Sequence, residues 1–328
     1  MRRLLALGLI ALPIVAAAGG CGGDGSAPAK AETNHRGVPV WRALPRAQLS
    51  RTEVGAARIG RSIYVVGGYL ASGATTAAGE RFDLRRNRWR RIKRMPIAVN
   101  HPAVTTLDGR LYVYGGFTDN PSPETNALQV FNPATKRWRL LPPSHHRRAA
   151  AALVSAGGRL YAIGGVRAGQ PLAAFETYDP ARRRWRTLPG MAVPREHLAA
   201  TVADGRLYVL GGRARGANLD VAERFSFGRR RWTRIAPLSV ARSGFAAVTV
   251  SGRVIAFGGE ELTPGGETIR AVEAFDPAAG RWQRLPGMRT PRHGLGGVAD
   301  GRAVYAVEGG PSPGLTVSNV IEVLRLPR

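Results

Sequence analysis

Between residues 55 and 92 apolar and polar positions alternate in short runs, and the runs are separated by turn residues. This predicts four strands, at 55–58, 62–66, 78–83 and 88–92. The same layout recurs along the chain. Asp108-Gly109, Asp204-Gly205, Ser251-Gly252 and Asp300-Gly301 each stand between two apolar runs, where a tight hairpin needs residues that tolerate positive φ.

The repeats carry a second signature. Gly-Gly pairs end apolar runs at Gly67-Gly68, Gly115-Gly116, Gly164-Gly165, Gly211-Gly212, Gly258-Gly259 and Gly309-Gly310. Downstream of five of them an aromatic residue is followed seven positions later by tryptophan: Phe82 and Trp89, Phe131 and Trp138, Tyr178 and Trp185, Phe225 and Trp232, Phe275 and Trp282. With a period of about 48 residues, this double glycine, aromatic and spaced tryptophan resembles the Kelch repeat. The resemblance covers residues 39–328 and implies an all-β, six-bladed propeller. The tryptophans are expected in the core, packed across the glycine pairs. Trp41 precedes the first pair, and the last repeat stops after its third strand at 320–326, so the N-terminal strand is expected to complete the last blade.

Aligned on the glycines, the repeats show a charge register. Arg51, Arg148, Arg195 and Arg242 stand sixteen residues before a pair and Arg292 seventeen, while the second repeat has Val99. Two residues before the third-strand aromatic stand Glu80, Glu176, Glu223 and Glu273, with Glu322 at the matching place in the last repeat and Gln129 in the second. The repeat without Arg also lacks Glu. This implies structural ion pairs at Arg51, Glu80, Arg148, Glu176, Arg242 and Glu273. The other reading is a ring of arginines that meets a ligand, with Arg195 and Arg292 among its contacts.

Propellers bind around the central channel, on the face of the second-to-third and fourth-to-first loops. The second-to-third loops, at 69–77, 117–126, 213–220, 260–269 and 311–318, are long and varied. Two residues beyond the arginine position stand Glu53, His101, Ala150, His197 and Gly244, with His293 nearby in the last repeat. Glu53, His101, His197 and His293 are therefore candidate ligand contacts beside Arg195 and Arg292. No helix-borne metal spacing, nucleophile elbow or phosphate loop occurs, so no metal, cofactor or catalytic residue is expected. Among Kelch relatives, copper galactose oxidases use a cysteine-linked tyrosine, and this chain's one cysteine lies elsewhere. Periplasmic N-acetylneuraminate epimerases share the six-bladed form, but none of their catalytic motifs matches positions here.

Residues 1–20 have the charged, apolar and small-residue regions of a secretory signal. Ala18-Gly19-Gly20-Cys21 resembles the lipobox of bacterial lipoproteins, without the usual Leu at its first position. Cys21 is thus the expected lipidation site, with plain secretion as the alternative. Residues 21–38 are small and polar and read as a tether. The net charge of +26 comes almost wholly from arginine, a bias that points to codon usage and not to nucleic-acid binding. Arginines cluster in the third-to-fourth turns, as at Arg85-Arg86, Arg182-Arg183-Arg184 and Arg229-Arg230-Arg231. That face is expected to lean on an anionic membrane. The expectation is an exported, lipid-anchored monomer that binds a glycan or a protein on its loop face, with a carbohydrate epimerase or mutarotase as the alternative.

Overall fold

The computed structural model describes residues 33–34, 38–119, 123–263 and 265–327; the signal-like segment and Cys21 lie outside them. Among the described residues there are six four-stranded antiparallel sheets and no helix, the arrangement of a six-bladed propeller. Blade 1 runs through Gly55–Ile59, Ser62–Val66, Gly79–Asp83 and Arg88–Ile92, in that order from the axis outward. The innermost strands of successive blades touch in a closed ring, last against first. Crowding at the axis selects small residues there: Ala56, Ala103, Ala152, Ala199, Ala246, Gly296 and Gly297 line the channel. A Cβ at Gly296 would collide with Ala56.

Blade 6 is built from both ends of the chain. Gly296–Asp300, Ala303–Val307 and Ile321–Arg325 are completed by Trp41–Ala43, with Trp41 opposite Leu324 and Ala43 opposite Glu322. The closure pairs the edge that Ile321–Arg325 would otherwise leave open and ties the two ends of the chain together.

Each third-strand aromatic sits directly opposite its tryptophan, as Phe82 does Trp89, with ring centroids 5.0 Å apart. Each indole N–H donates to a backbone carbonyl just after the fourth strand of the preceding blade: Trp89 to Pro45, Trp138 to Lys93, Trp185 to Pro142, Trp232 to Pro189, Trp282 to Ala236 and Trp41 to Pro286, at 2.7–2.9 Å. The six tryptophans therefore clip neighbouring blades together. Trp41, Trp89 and Trp185 are buried, whereas Trp138, Trp232 and Trp282 keep an exposed edge.

The glycine pairs do not serve the tryptophans. Both glycines have positive φ, 63° and 101° at Gly115 and Gly116. Their missing Cβ atoms leave room for backbone carbonyls, that of Arg148 beside Gly115 and that of Asn100 beside Gly116. In the last blade the pair is displaced by one residue. Gly309 N–H donates to the Arg51 carbonyl, as Gly116 does to Arg148, so Glu308 fills the first-glycine position, at a φ of 55°. Counted to Glu308, the spacing from Arg292 is the usual sixteen.

Candidate functional site

Below the loop face five arginines are wholly buried, each paired within its own blade: Arg51 with Glu80, Arg148 with Glu176, Arg195 with Glu223, Arg242 with Glu273 and Arg292 with Glu322. In blades 1, 3 and 5 the guanidinium also donates to the carbonyls just after the second strand and just before the third, as Arg242 does to Gly258 and Ala271. The glutamates accept an N–H from the incoming fourth-to-first segment, as Glu273 does from Ser239 at 2.9 Å. In blade 2 the Gln129 amide takes over, accepting from Ile97 N–H and donating to its carbonyl. Arg195 and Arg292, expected among ligand contacts, stand in this enclosed ring and not at the channel. Burial pulls Arg195 down to about 10, against the pull of Glu223, so it remains charged at neutral pH.

Above the ring the chain passes the axis in three tiers. The residue after each arginine position is Thr52, Asn100, Ala149, Glu196, Ser243 or His293, and the next is Glu53, His101, Ala150, His197, Gly244 or Gly294. Every residue of the second tier has positive φ, between 49° and 62°. That conformation turns each N–H toward the carbonyl of the neighbouring blade. His101 donates to Glu53, Ala150 to His101, His197 to Ala150, Gly244 to His197 and Gly294 to Gly244, at 2.7–3.1 Å, and Val54 closes the circle on Gly294 at 3.2 Å. The third tier, the residue after each second glycine, is Tyr69, Phe117, Val166, Arg213, Glu260 and Gly310.

These tiers enclose a cavity of about 650 Å³ on the loop face. Blades 1 to 3 give it Tyr69, Phe117 and Val166, and Leu315 overhangs the rim, half exposed. Blades 4 to 6 give it Glu196, Arg213, Glu260 and His293. Blades 1 and 2 also give it Glu53, His101 and Glu124, so the apolar surface is confined to one side while charged groups come from both.

The fold brings together the predicted contacts Glu53, His101, His197 and His293. His101 Nε2 lies 3.2 Å from Glu53 Oε2, and His293 Nε2 lies 3.8 Å from Glu53 and 3.8 Å from Glu260. The rings of His101 and His197 meet edge to face at 4.8 Å, while Tyr69 and Phe117 hold His101 from the other sides at 5.7 and 5.4 Å. Burial, reinforced by the neighbouring His197, Arg213 and His293, holds His101 well below the ordinary imidazole range, so it is neutral at pH 7. Burial pushes Glu196 up, but the hydrogen bond from His197 and the charge of Arg213 outweigh it and hold this carboxyl at about 2. Spacing along the chain carries no metal signature, yet the ligand atoms of Glu53, His101 and His197 lie within 4.8 Å of one another.

Glu196, Arg213 and Glu260 escaped the sequence reading. The signal that would have found the last two is their place directly after a glycine pair, where the chain turns back over the axis.

A family model described as the KLHDC2/KLHL20/DRC7 Kelch-repeats domain matches residues 53–259, and a Kelch motif matches 241–289. The chain is 29% identical over 136 residues to Kelch repeat and BTB domain-containing protein 12 of Danio rerio, which covers 38% of this chain and 22% of that protein. It is 32% identical over 149 residues to Kelch-like protein terF of Aspergillus terreus, 41% of this chain and 32% of that protein. The chain thus spans a third or less of the length of these curated relatives. The solved structure of YjhT superposes with a TM-score of 0.76 at 16% identity, over 86% of this chain and 97% of that one.

Proposed function

The chain belongs to the Kelch-repeat family, and from that premise we propose that it is an exported binding scaffold that takes a glycan or a protein segment into the axial cavity of its loop face. The observation that carries this reading is the mixed lining of the cavity itself. In about 650 Å³ the apolar side chains of Tyr69, Phe117 and Val166 stand across from Glu196, Arg213 and Glu260, with Glu53, His101 and Glu124 set among them. Such a pocket stacks the flat face of a sugar or an apolar side chain while charged groups fix its orientation. Kelch propellers commonly serve as protein-interaction scaffolds, which agrees with this use of the loop face.

The signal-like segment and Cys21 support a lipid anchor on the outer side of the membrane. The chain enters the propeller at Trp41–Ala43, the outermost strand of blade 6, and the third-to-fourth turns carry exposed arginines such as Arg85, Arg182 and Arg229. In this reading those turns rest on anionic headgroups, each worth about 1 kcal/mol, and the cavity looks away from the membrane.

A second reading, sugar epimerisation or mutarotation, is favoured by one feature: Glu53 lies against both His101 and His293, a pairing able to exchange protons with a bound sugar. Saturation-transfer and anomer-exchange NMR on the purified protein, with a panel of acidic and neutral sugars and short peptides, separates the two. Transfer without faster exchange, lost in Arg213→Ala, is the expected result. Accelerated exchange abolished by Glu53→Gln selects the enzyme, and silence with every sugar and peptide removes the binding proposal.

A further inference from the structure

The cavity floor reverses the charge of the molecule. In a chain of net charge +26, the cavity is lined by four carboxylates, Glu53, Glu124, Glu196 and Glu260, against the single guanidinium of Arg213. An excess of carboxylates in a partly closed space calls for a cation.

Hydrogen bonds fix where that cation is wanted. The Asn100 amide donates from Nδ2 to Thr75 Oγ1 at 2.7 Å and to the Asp119 carbonyl at 3.2 Å, so its Oδ1 is the atom that meets His101 Nδ1 at 2.6 Å. His101 therefore carries its proton on Nδ1 and presents a lone pair at Nε2. That lone pair faces another acceptor, Glu53 Oε2, at 3.2 Å. His197 is built alike: Nδ1 donates to Glu196 Oε2 at 2.9 Å, which leaves a lone pair at Nε2, met at 3.4 Å by Arg213 Nη2. Two imidazoles that each give one N–H to a fixed side-chain oxygen, with one carboxylate within 4.8 Å of both, have the arrangement of metal-binding histidines and their orienting partners.

We propose that Glu53, His101 and His197 form a binding site for one divalent transition-metal ion at the mouth of the central channel, with Asn100 and Glu196 orienting the two imidazoles. The site is independent of what occupies the cavity above it. Two imidazoles and one carboxylate suit zinc or iron(II) over magnesium or calcium, and three protein ligands leave a position open to the cavity. A tetrahedral ion with bonds of about 2.1 Å sets its ligands about 3.4 Å apart. The three groups, now within 4.8 Å, draw together by about an ångström. Arg213 Nη2, 3.4 Å from His197 Nε2, swings aside while Nε keeps its 2.7 Å bond to Glu196. His293, buried and with Nδ1 unpartnered, stands against Glu53 and Glu260 one layer out.

The test is calorimetric titration of the chelator-stripped full chain with Zn²⁺, and with Co²⁺ followed by its visible absorption. One ion per chain is expected. Glu53→Gln, His101→Gln and His197→Gln should each weaken binding at least about a hundredfold, and Glu196→Gln by about 10- to 100-fold. His146→Gln, which alters a partly buried histidine away from the cavity, should change nothing. Melting curves identify any variant that fails to fold, and the other two ligand variants then decide. Absence of saturable uptake overturns the site, as does uptake that survives the ligand variants or is lost in His146→Gln.

Discussion

Glu308 grips Arg51 across the junction of the last and first blades, with Oε2 2.9 Å from Nε and Oε1 2.8 Å from Nη2. Arg51 is also the partner of Glu80 at 3.0 Å, so two wholly buried carboxylates share one guanidinium. Burial raises the Glu308 carboxyl to about 7; Arg51 opposes the rise and the Glu80 charge adds to it.

Glu308 thus binds a proton more tightly folded than unfolded. Its contribution to stability is fully present below the unfolded carboxyl range, near pH 4.5, and is lost as pH rises through about 7. Glu308→Gln keeps the shape and removes the titration. In chemical denaturation between pH 5 and 8, the stability of the native chain relative to Glu308→Gln should fall as pH rises. A pH-independent difference would mean that Glu308 is ionised throughout.

Blade 2 is a natural double replacement, with Val99 and Gln129 where the other blades hold an ion pair. Arg242→Val alone strands Glu273 in a buried site and should cost about 3–5 kcal/mol. Arg242→Val with Glu273→Gln copies blade 2 and should recover about 1–3 kcal/mol of the summed single losses. Urea unfolding of the four-member cycle measures the coupling, and strict additivity would show that the pair does not act as a unit.

Much of this was legible in the chain because repeats report on one another. The joint absence of Arg and Glu from blade 2 is visible without coordinates, and so is the closing role of Trp41. The spacing of seventeen in the last repeat was visible too, but matching Gly309-Gly310 to the other pairs hid that Glu308 stands in a glycine's place. The tier of Glu53, His101, Ala150 and His197 gave no sign of its left-handed backbone, since nothing in those residue types demands positive φ. The hydrogen-bonded circle at the axis imposes it. Arg213, Glu260 and Glu196 stayed hidden for a related reason: the pocket is assembled from tiers of all six blades, so its residues are neighbours in space and far apart in sequence.

Ala150 tests that circle. It adopts a φ of 51°, where Gly244 and Gly294 serve two other blades. Left-handed backbone costs a residue with a Cβ about 1–2 kcal/mol, part of which is returned by the packing of Ala150 against Ala149 and Val166. Ala150→Gly should therefore raise stability, by up to about 1 kcal/mol. Gly258→Ala should do the reverse, by about 2 kcal/mol or more, because that glycine has a φ of 74° and lies against the Arg292 carbonyl. Thermal unfolding of the two variants reads both signs, and a loss of stability in Ala150→Gly would refute the strain.

Closure makes the strongest demand on the N-terminal strand. Trp41 is buried among Phe257, Leu295 and Leu324, and its indole N–H donates to the Pro286 carbonyl at 2.9 Å. Trp41→Ala should cost about 3–5 kcal/mol for the cavity and the lost bond. Trp41→Phe, which keeps most of the ring, should forfeit chiefly the hydrogen bond, about 1 kcal/mol. Deleting residues 39–45 goes further, because it strips Glu322, Val323 and Leu324 of their pairing strand and takes the Leu44 amide from the Ile321 carbonyl. An unpaired strand edge of that kind recruits other chains. The deletion should therefore lower the melting midpoint sharply and shift the protein to larger species in size-exclusion chromatography. An unchanged midpoint with a single monomeric peak would show that the propeller holds together without its closing strand.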